Sequence, residues 1–235
     1  MRVFVAGAAG AIGRQLVPML IDAGHVVTGT TRSAERAVWL RSQGAHPVVV
    51  DVMDADALTA AVVDARPQVV IHQLTDLAAG FGVDQLRANA TLRQVGTRNL
   101  MDATLAAGAA RMVAQSGAWL YAPGPEPHGE RDALLDPADV ADHPVLPGII
   151  ELERIVTSTP NVEGLVLRYG FLYGPGTEGT DPGDGPTVHV LAAADAAARA
   201  VDHGPPGVYN IVDDGGSVSN ARARAELGWQ PGLGW

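Results

Sequence analysis

The chain has 235 residues, is 47% hydrophobic and 18% charged, and carries a net charge of −10. That size fits one domain with ample apolar material for a core. The acidic balance argues against nucleic acid and anionic membrane as partners, since both reward positive surface. There is no cysteine, which excludes disulfides, thiolate metal sites and a cysteine nucleophile; no metal site is expected.

The chain begins with a short apolar run over Arg2–Ala6, read as a strand, followed at once by glycines. That run is too short for a signal peptide or a membrane span, so a soluble, cytoplasmic protein is expected. A helix is predicted over residues 11–23, closed by Gly24. Val26–Thr31 reads as a second strand, and Ser33 is placed to N-cap a helix reaching residue 43. Strands are predicted over residues 47–52 and 69–74, separated by a helix over 54–65 that Pro67 ends. A long helix over 84–107, stopped by Gly108, leads to a strand over 111–115. Residues 121–147 hold six prolines and read as loop, since each proline removes a donor and restricts the residue before it. Beyond it come a helix over 148–157, a strand over 164–168, a Gly- and Pro-rich loop over 174–186, a helix over 191–202 and a strand over 208–212.

The strands are continuous apolar runs, as a parallel sheet covered on both faces requires. Their alternation with helices predicts an α/β fold, a doubly wound parallel sheet of Rossmann type. The chain reads as a single domain, 1–235. Residues 1–120 form the dinucleotide-binding core and 121–235 mix core with substrate-binding segments.

Gly7, Gly10 and Gly13 fall between the first strand and the first helix. Gly7 suits the tight turn, Gly10 lets backbone approach a pyrophosphate, and Gly13 lets helix and strand pack closely. Ala9, Ala11 and Ile12 line the same turn, and the helix N-terminus favours phosphate. The second strand ends Thr31-Arg32-Ser33, where an NAD site usually carries an acid for the ribose 2′-hydroxyl. A guanidinium and hydroxyls suit a 2′-phosphate instead, so NADP(H) is the expected cofactor; the alternative is a solvated arginine beside a capping serine. Asp51 and Val52, after the third strand, are candidates for the adenine end.

The chain resembles the extended short-chain dehydrogenases/reductases, the epimerase/dehydratase branch. The Gly-x-x-Gly-x-x-Gly spacing carries the resemblance, with Val70-Ile71-His72, residues 96–100 (Gly-Thr-Arg-Asn-Leu), Gln115-Ser116 through Tyr121, residues 167–176, and Leu227-Gly228-Trp229. The resemblance implies that Leu74, Thr75, Gln115, Tyr169, Gly170 and Phe171 border the cofactor. It places Asp76, Gly117, Trp119 and Tyr121 toward the substrate. Trp119 and Phe171 suit stacking on a flat molecule, with core packing as the alternative.

The family's proton-transfer residues do not carry over. It uses a Ser or Thr and a Tyr-x-x-x-Lys pair, the lysine lowering the tyrosine's pKa. Aligning Glu153 with the glutamate that usually follows the lysine puts Val145 at the tyrosine and Ile149 at the lysine. Gly117 falls at the usual serine, with Ser116 one residue earlier as the remaining catalytic candidate to orient a carbonyl. His72, inside an apolar strand, reads as a core histidine. A second resemblance is to angucyclinone ketoreductases that lack the same pair. It implies NADPH-dependent reduction of an aromatic polyketide ketone in antibiotic biosynthesis, the substrate stabilising its own oxyanion through a neighbouring phenol. An NADP(H)-sensing regulator and a sugar-nucleotide epimerase or 4-ketoreductase are the alternatives. The substrate wall is expected from the proline-rich loop and the helix over 191–202; the sequence leaves the oligomeric state open.

Overall fold

A computed structural model describes residues 1–75, 80, 82–136, 138 and 143–232. The strands are β1 (Arg2–Ala6), β2 (Val26–Thr31), β3 (His46–Val49), β4 (Val69–His72), β5 (Arg111–Gly117), β6 (Glu163–Tyr169), β7 (Phe171–Tyr173), β8 (Thr187–His189) and β9 (Gly207–Ile211). The helices are α1 (Ala11–Asp22), α2 (Ala34–Ser42), α3 (Ala55–Ala65), α4 (Val83–Thr91), α5 (Thr97–Ala106), α6 (Leu146–Ser158), α7 (Val190–Arg199) and α8 (Ala221–Leu227). Seven strands form one parallel sheet in the order β3-β2-β1-β4-β5-β6-β9, and β7 and β8 pair in a small parallel sheet of their own.

Both faces of the large sheet are covered, which explains the unbroken apolar strands. Val3 and Val5 of β1 pack with Leu16 and Leu20 of α1 and with the alanines of α7. Phe4 and Ala6, pointing the other way, pack with Leu58 of α3, Leu100 of α5 and Leu152 of α6. Because β1 has β2 on one side and β4 on the other, the order reverses at its C-terminal end, the place where open α/β sheets bind ligands.

Several expectations shift in detail. β3 stops at Val49, so Asp51 and Val52 lie in the turn into α3, where Asp51 Oδ1 accepts the Met53 N–H at 2.9 Å. The long helix is interrupted by a π turn, Leu92–Gly96, between α4 and α5. β4 ends at His72, leaving Leu74 and Thr75 beyond the strand, whereas β5 runs on through Ser116 to Gly117. α6 starts at Leu146, with Pro147 in its first turn, where its missing N–H costs nothing. β7, β8 and α8 were not foreseen. The segment after α8 is pinned by Trp229, fully buried, whose Nε1–H donates to Ala192 O of α7 at 2.8 Å.

Candidate active site

The glycine turn after β1 is built for close approach. Gly7 has φ +85°, and a Cβ there would lie 2.4 Å from Gln73 O. A Cβ on Gly13 would lie 2.4 Å from Gly7 O and 2.5 Å from Ala8 O, so the α1 backbone touches the loop directly. Gly10 differs: it is exposed, and a Cβ there would meet only Gly7 O, at 3.4 Å. Nothing in the protein itself demands glycine at that point. Gly10 N-caps α1 with no side-chain cap. The first helical N–H with a carbonyl to reach is that of Arg14, which donates to Gly10 O at 2.9 Å. The N–H groups of Ala11, Ile12 and Gly13 precede it and lack an intrahelical acceptor. An uncapped helix start behind an open glycine fits a dinucleotide pyrophosphate. Ala9 and Ile12 are buried under the turn and Ala11 is half-buried.

At the end of β2, Thr31 Oγ1 accepts the Ser33 N–H at 3.1 Å and Ser33 Oγ accepts the Arg36 N–H at 3.3 Å. Both hydroxyls therefore serve the loop and the α2 N-cap. Arg32 between them is exposed. Val52 is buried, and its carbonyl accepts the Asn99 side-chain N–H at 2.9 Å.

His72 is fully buried at the end of β4. Its Nδ1 accepts the Leu74 N–H at 3.2 Å, so Nε2 carries the proton and donates to Thr97 Oγ1 at 2.8 Å. Burial, aided by the charge of Arg93, pushes its pKa down to about 3; it is a neutral core histidine. Leu74 is half-buried and Thr75 exposed, while Asp76 lies outside the described residues.

Ser116 is buried on β5 and its Oγ–H donates to Glu153 Oε1 of α6 at 2.5 Å. The same carboxylate accepts Arg168 Nε–H at 2.9 Å and Nη2–H at 2.7 Å. Desolvation works to lower the Arg168 pKa, but the bonds and charge of Glu153 outweigh it and raise it. Arg168 Nη1–H reaches Tyr121 Oη at 2.9 Å, and Tyr121 Oη–H donates to Asn210 Oδ1 at 2.7 Å. Burial raises the tyrosine pKa against the opposing Arg168 charge, so Tyr121 is a neutral phenol with its proton committed. Ser116 is thus a member of a Ser116–Glu153–Arg168–Tyr121–Asn210 network rather than a hydroxyl free to orient a carbonyl.

The positions expected at the family's tyrosine and lysine are apolar in three dimensions. Val145 (6% exposed) and Ile149 (0%) belong to one cluster with Leu120 and Leu146, against which Trp119 packs. A Cβ on Gly117 would lie 2.8 Å from the Trp119 indole; the tryptophan fills the room a serine would need.

Trp119 stacks on Phe171 with ring centroids 5.7 Å apart and 10° between planes, and Phe171 is 49% exposed. Tyr121 stacks on His128 in the same way, at 5.1 Å and 5°. The two stacks wall a cleft of about 460 Å³ with Pro123, Glu126, Pro186 and Val218. Phe171 lines that cleft, half-exposed. Tyr169 is buried in the core, its hydroxyl accepting the Gln73 side-chain N–H at 3.3 Å. Gly170 packs against the Pro186–Thr187 backbone, and Gln115 is buried in β5. The proline-rich loop does line the cleft. α7 does not, because its alanines are consumed packing on α1. Sequence reasoning missed Gln73, Arg93, Arg168, Glu126 and His128. Only Arg168 had a signal, as part of the strand motif 167–176.

Among the described residues, no group of acidic or histidine side chains could hold a metal ion, and no helix is long and apolar enough to cross a membrane. A 3-diazoavenalumate denitrifying reductase of Streptomyces sp is 40% identical over 91% of this chain and 76% of its own length. The dTDP-4-dehydrorhamnose reductase of Streptomyces griseus is 28% identical over 94% and 74%. The solved UDP-glucose 4-epimerase of Thermotoga maritima superposes with a TM-score of 0.79 at 19% identity, covering all of this chain and 94% of the other, and shares the fold. Residues 3–200 match the NAD dependent epimerase/dehydratase family. By that match and the 40% relative, the chain belongs to the NAD dependent epimerase/dehydratase family.

Proposed function

We propose that the chain is an NADP(H)-dependent reductase that reduces a small, flat aromatic substrate without a proton donor of its own. The observation that carries this reading is the apolar pair Val145 and Ile149 where the family's acid machinery stands, beside a cleft walled by aromatic stacks. Gly10 and the uncapped α1 start would hold the pyrophosphate, and Arg32 the 2′-phosphate. When bound, the reduced nicotinamide supplies a hydride. Trp119 and Phe171 orient a planar ring, and the apolar floor beneath Trp119 excludes water.

Substrates that fit are those whose reduction needs no proton from the protein. A ketone beside a phenol, as in angucyclinone-like polyketides of antibiotic biosynthesis, stabilises its alkoxide through its own hydrogen bond. An arenediazonium group needs no proton at all: one C–H bond forms, the C–N bond breaks, and N2 leaves with its electron pair. The second class is favoured by the 40% identical relative, whose name describes a denitrifying reductase of 3-diazoavenalumate. Loss of NADPH absorbance, followed over an arenediazonium salt, an ortho-hydroxyaryl ketone and its methyl ether, tests the proposal. Turnover of the first or second and none of the ether is expected, retained within about tenfold in Ser116→Ala because its hydroxyl is engaged by Glu153. A general acid contributes about 10²–10⁴-fold, so a loss of that size in Ser116→Ala would make the serine the donor. Tight NADPH binding with no turnover of any substrate would favour a sensor instead.

A further inference from the structure

Arg14, in the first turn of α1, is exposed to solvent, yet two contacts hold its side chain in place. Its Nε–H donates to Ala9 O at 3.3 Å, which folds the side chain back against the glycine turn. Its Cζ lies 4.9 Å from the centroid of the Trp39 ring, a cation over an aromatic face. Trp39 is half-buried on α2 and packs against the core that α1 also covers. Among the described residues no carboxylate pairs with Arg14, and nothing accepts from its Nη1 or Nη2.

The position is a poor one for a cation in the protein alone. A helix start bears the positive end of the dipole, which favours acids and disfavours bases, and α1 has no acidic residue in its first turn to offset the arginine. Holding a long side chain still also costs rotamer freedom. A bound anion offsets both costs, and a guanidinium with its Nε–H tied and its face stacked keeps the Nη edge ready to bind one. The two contacts say where that anion lies. Ala9 O ties the arginine to the glycine turn, beside Gly10. Trp39 ties it to α2, the helix whose N-cap, Ser33, directly follows Arg32. Arg14 therefore spans from the glycine turn toward the helix that begins at the end of β2. In a dinucleotide site the ribose 2′ position is read at the end of β2, whereas the pyrophosphate sits at the start of α1.

We propose that Arg14 is a second 2′-phosphate ligand, which acts with Arg32 to select NADP(H) over NAD(H) and which Trp39 holds in position. The inference rests on the reading of the cofactor as NADP(H). Fluorescence titrations of NADPH and of NADH against the wild type, Arg14→Ala and Arg14→Lys test it, with thermal melts alongside. Arg14→Ala should bind NADPH about 10-fold or more weakly, as the loss of a charge-assisted hydrogen bond implies. It should bind NADH within about threefold of the wild type and keep its Tm, since the side chain is exposed. Arg14→Lys keeps the charge and loses the planar fork, and should fall between the two. Unchanged NADPH affinity in Arg14→Ala would overturn the assignment. So would equal losses with both cofactors, which would put the arginine on the pyrophosphate. A wild type that binds NADPH and NADH alike would remove the NADP(H) reading and this proposal with it. A wild-type preference for NADPH that Arg32→Ala abolishes and Arg14→Ala keeps would overturn this proposal alone.

Discussion

Alanine at Gly10 should leave the protein folded and unable to bind its dinucleotide, whereas alanine at Gly13 should leave it poorly folded. The two positions lie three residues apart in the same motif, but different things exclude a side chain from them. At Gly13 a Cβ would fall 2.4–2.6 Å from the carbonyls of Gly7 and Ala8. These are backbone atoms on both sides of a packed helix start, and they yield only by moving α1 off β1. Overpacking typically costs about 1–3 kcal/mol and occasionally more, and a contact this short against fixed backbone belongs at the upper end. At Gly10 the backbone lies at φ −79° and ψ −178°, which any residue adopts, and the one near neighbour is Gly7 O at 3.4 Å. Restricting the unfolded chain there adds up to about 0.4–1 kcal/mol of stability. What the methyl group obstructs is the approach of a pyrophosphate to the N–H groups of Ala11 to Gly13. Thermal melts with NADPH fluorescence titration should give Gly10→Ala an unchanged or slightly raised Tm and at least about a 100-fold weaker affinity, the equivalent of two or more charge-assisted hydrogen bonds. Wild-type affinity in Gly10→Ala would remove the pyrophosphate from this turn.

The second large effect is expected at Arg32. Arg32 is the group at the end of β2 expected to read a 2′-phosphate; its neighbours Thr31 and Ser33 accept hydrogen bonds from their own loop. A charge-assisted hydrogen bond is worth about 1.5–3 kcal/mol, or about 10- to 150-fold in affinity. Arg32→Ala should raise the KM for NADPH by that factor and leave the KM for NADH within about threefold. Equal changes with both cofactors would contradict the preference.

The parts of this molecule that sequence makes visible are those whose cause is local. β1 is legible because burial on both sheet faces requires Val3, Phe4, Val5 and Ala6 to be apolar together. The glycine turn is legible because its spacing and its place between strand and helix state the same geometry. The π turn was not, since one extra residue in the hydrogen-bond ladder leaves the apolar spacing of helix 83–106 readable as one α-helix. The partner of Ser116 was not legible, because it lies 37 residues away on α6, and no local pattern marks that distance. Arg93 escaped for the same reason: only in the fold do the burial of its side chain and its unpartnered Nε and Nη1 appear. Trp119 and Gly117 show a middle case. Glycine at position 117 is visible in the sequence, but the indole packed against it is visible only in the fold.

Reduction by this protein is proposed to need no proton from its own side chains. The most direct test measures isotope effects on turnover of the arenediazonium salt, whose reduction takes up no exchangeable proton, with NADPH deuterated at the transferred position and separately in D2O. A slower rate with the labelled cofactor is expected, with rates in H2O and D2O that cannot be told apart between about pH 6 and 8. A marked slowing in D2O that appears together with the cofactor effect, and a rate that falls tenfold for each unit of rising pH, would contradict it.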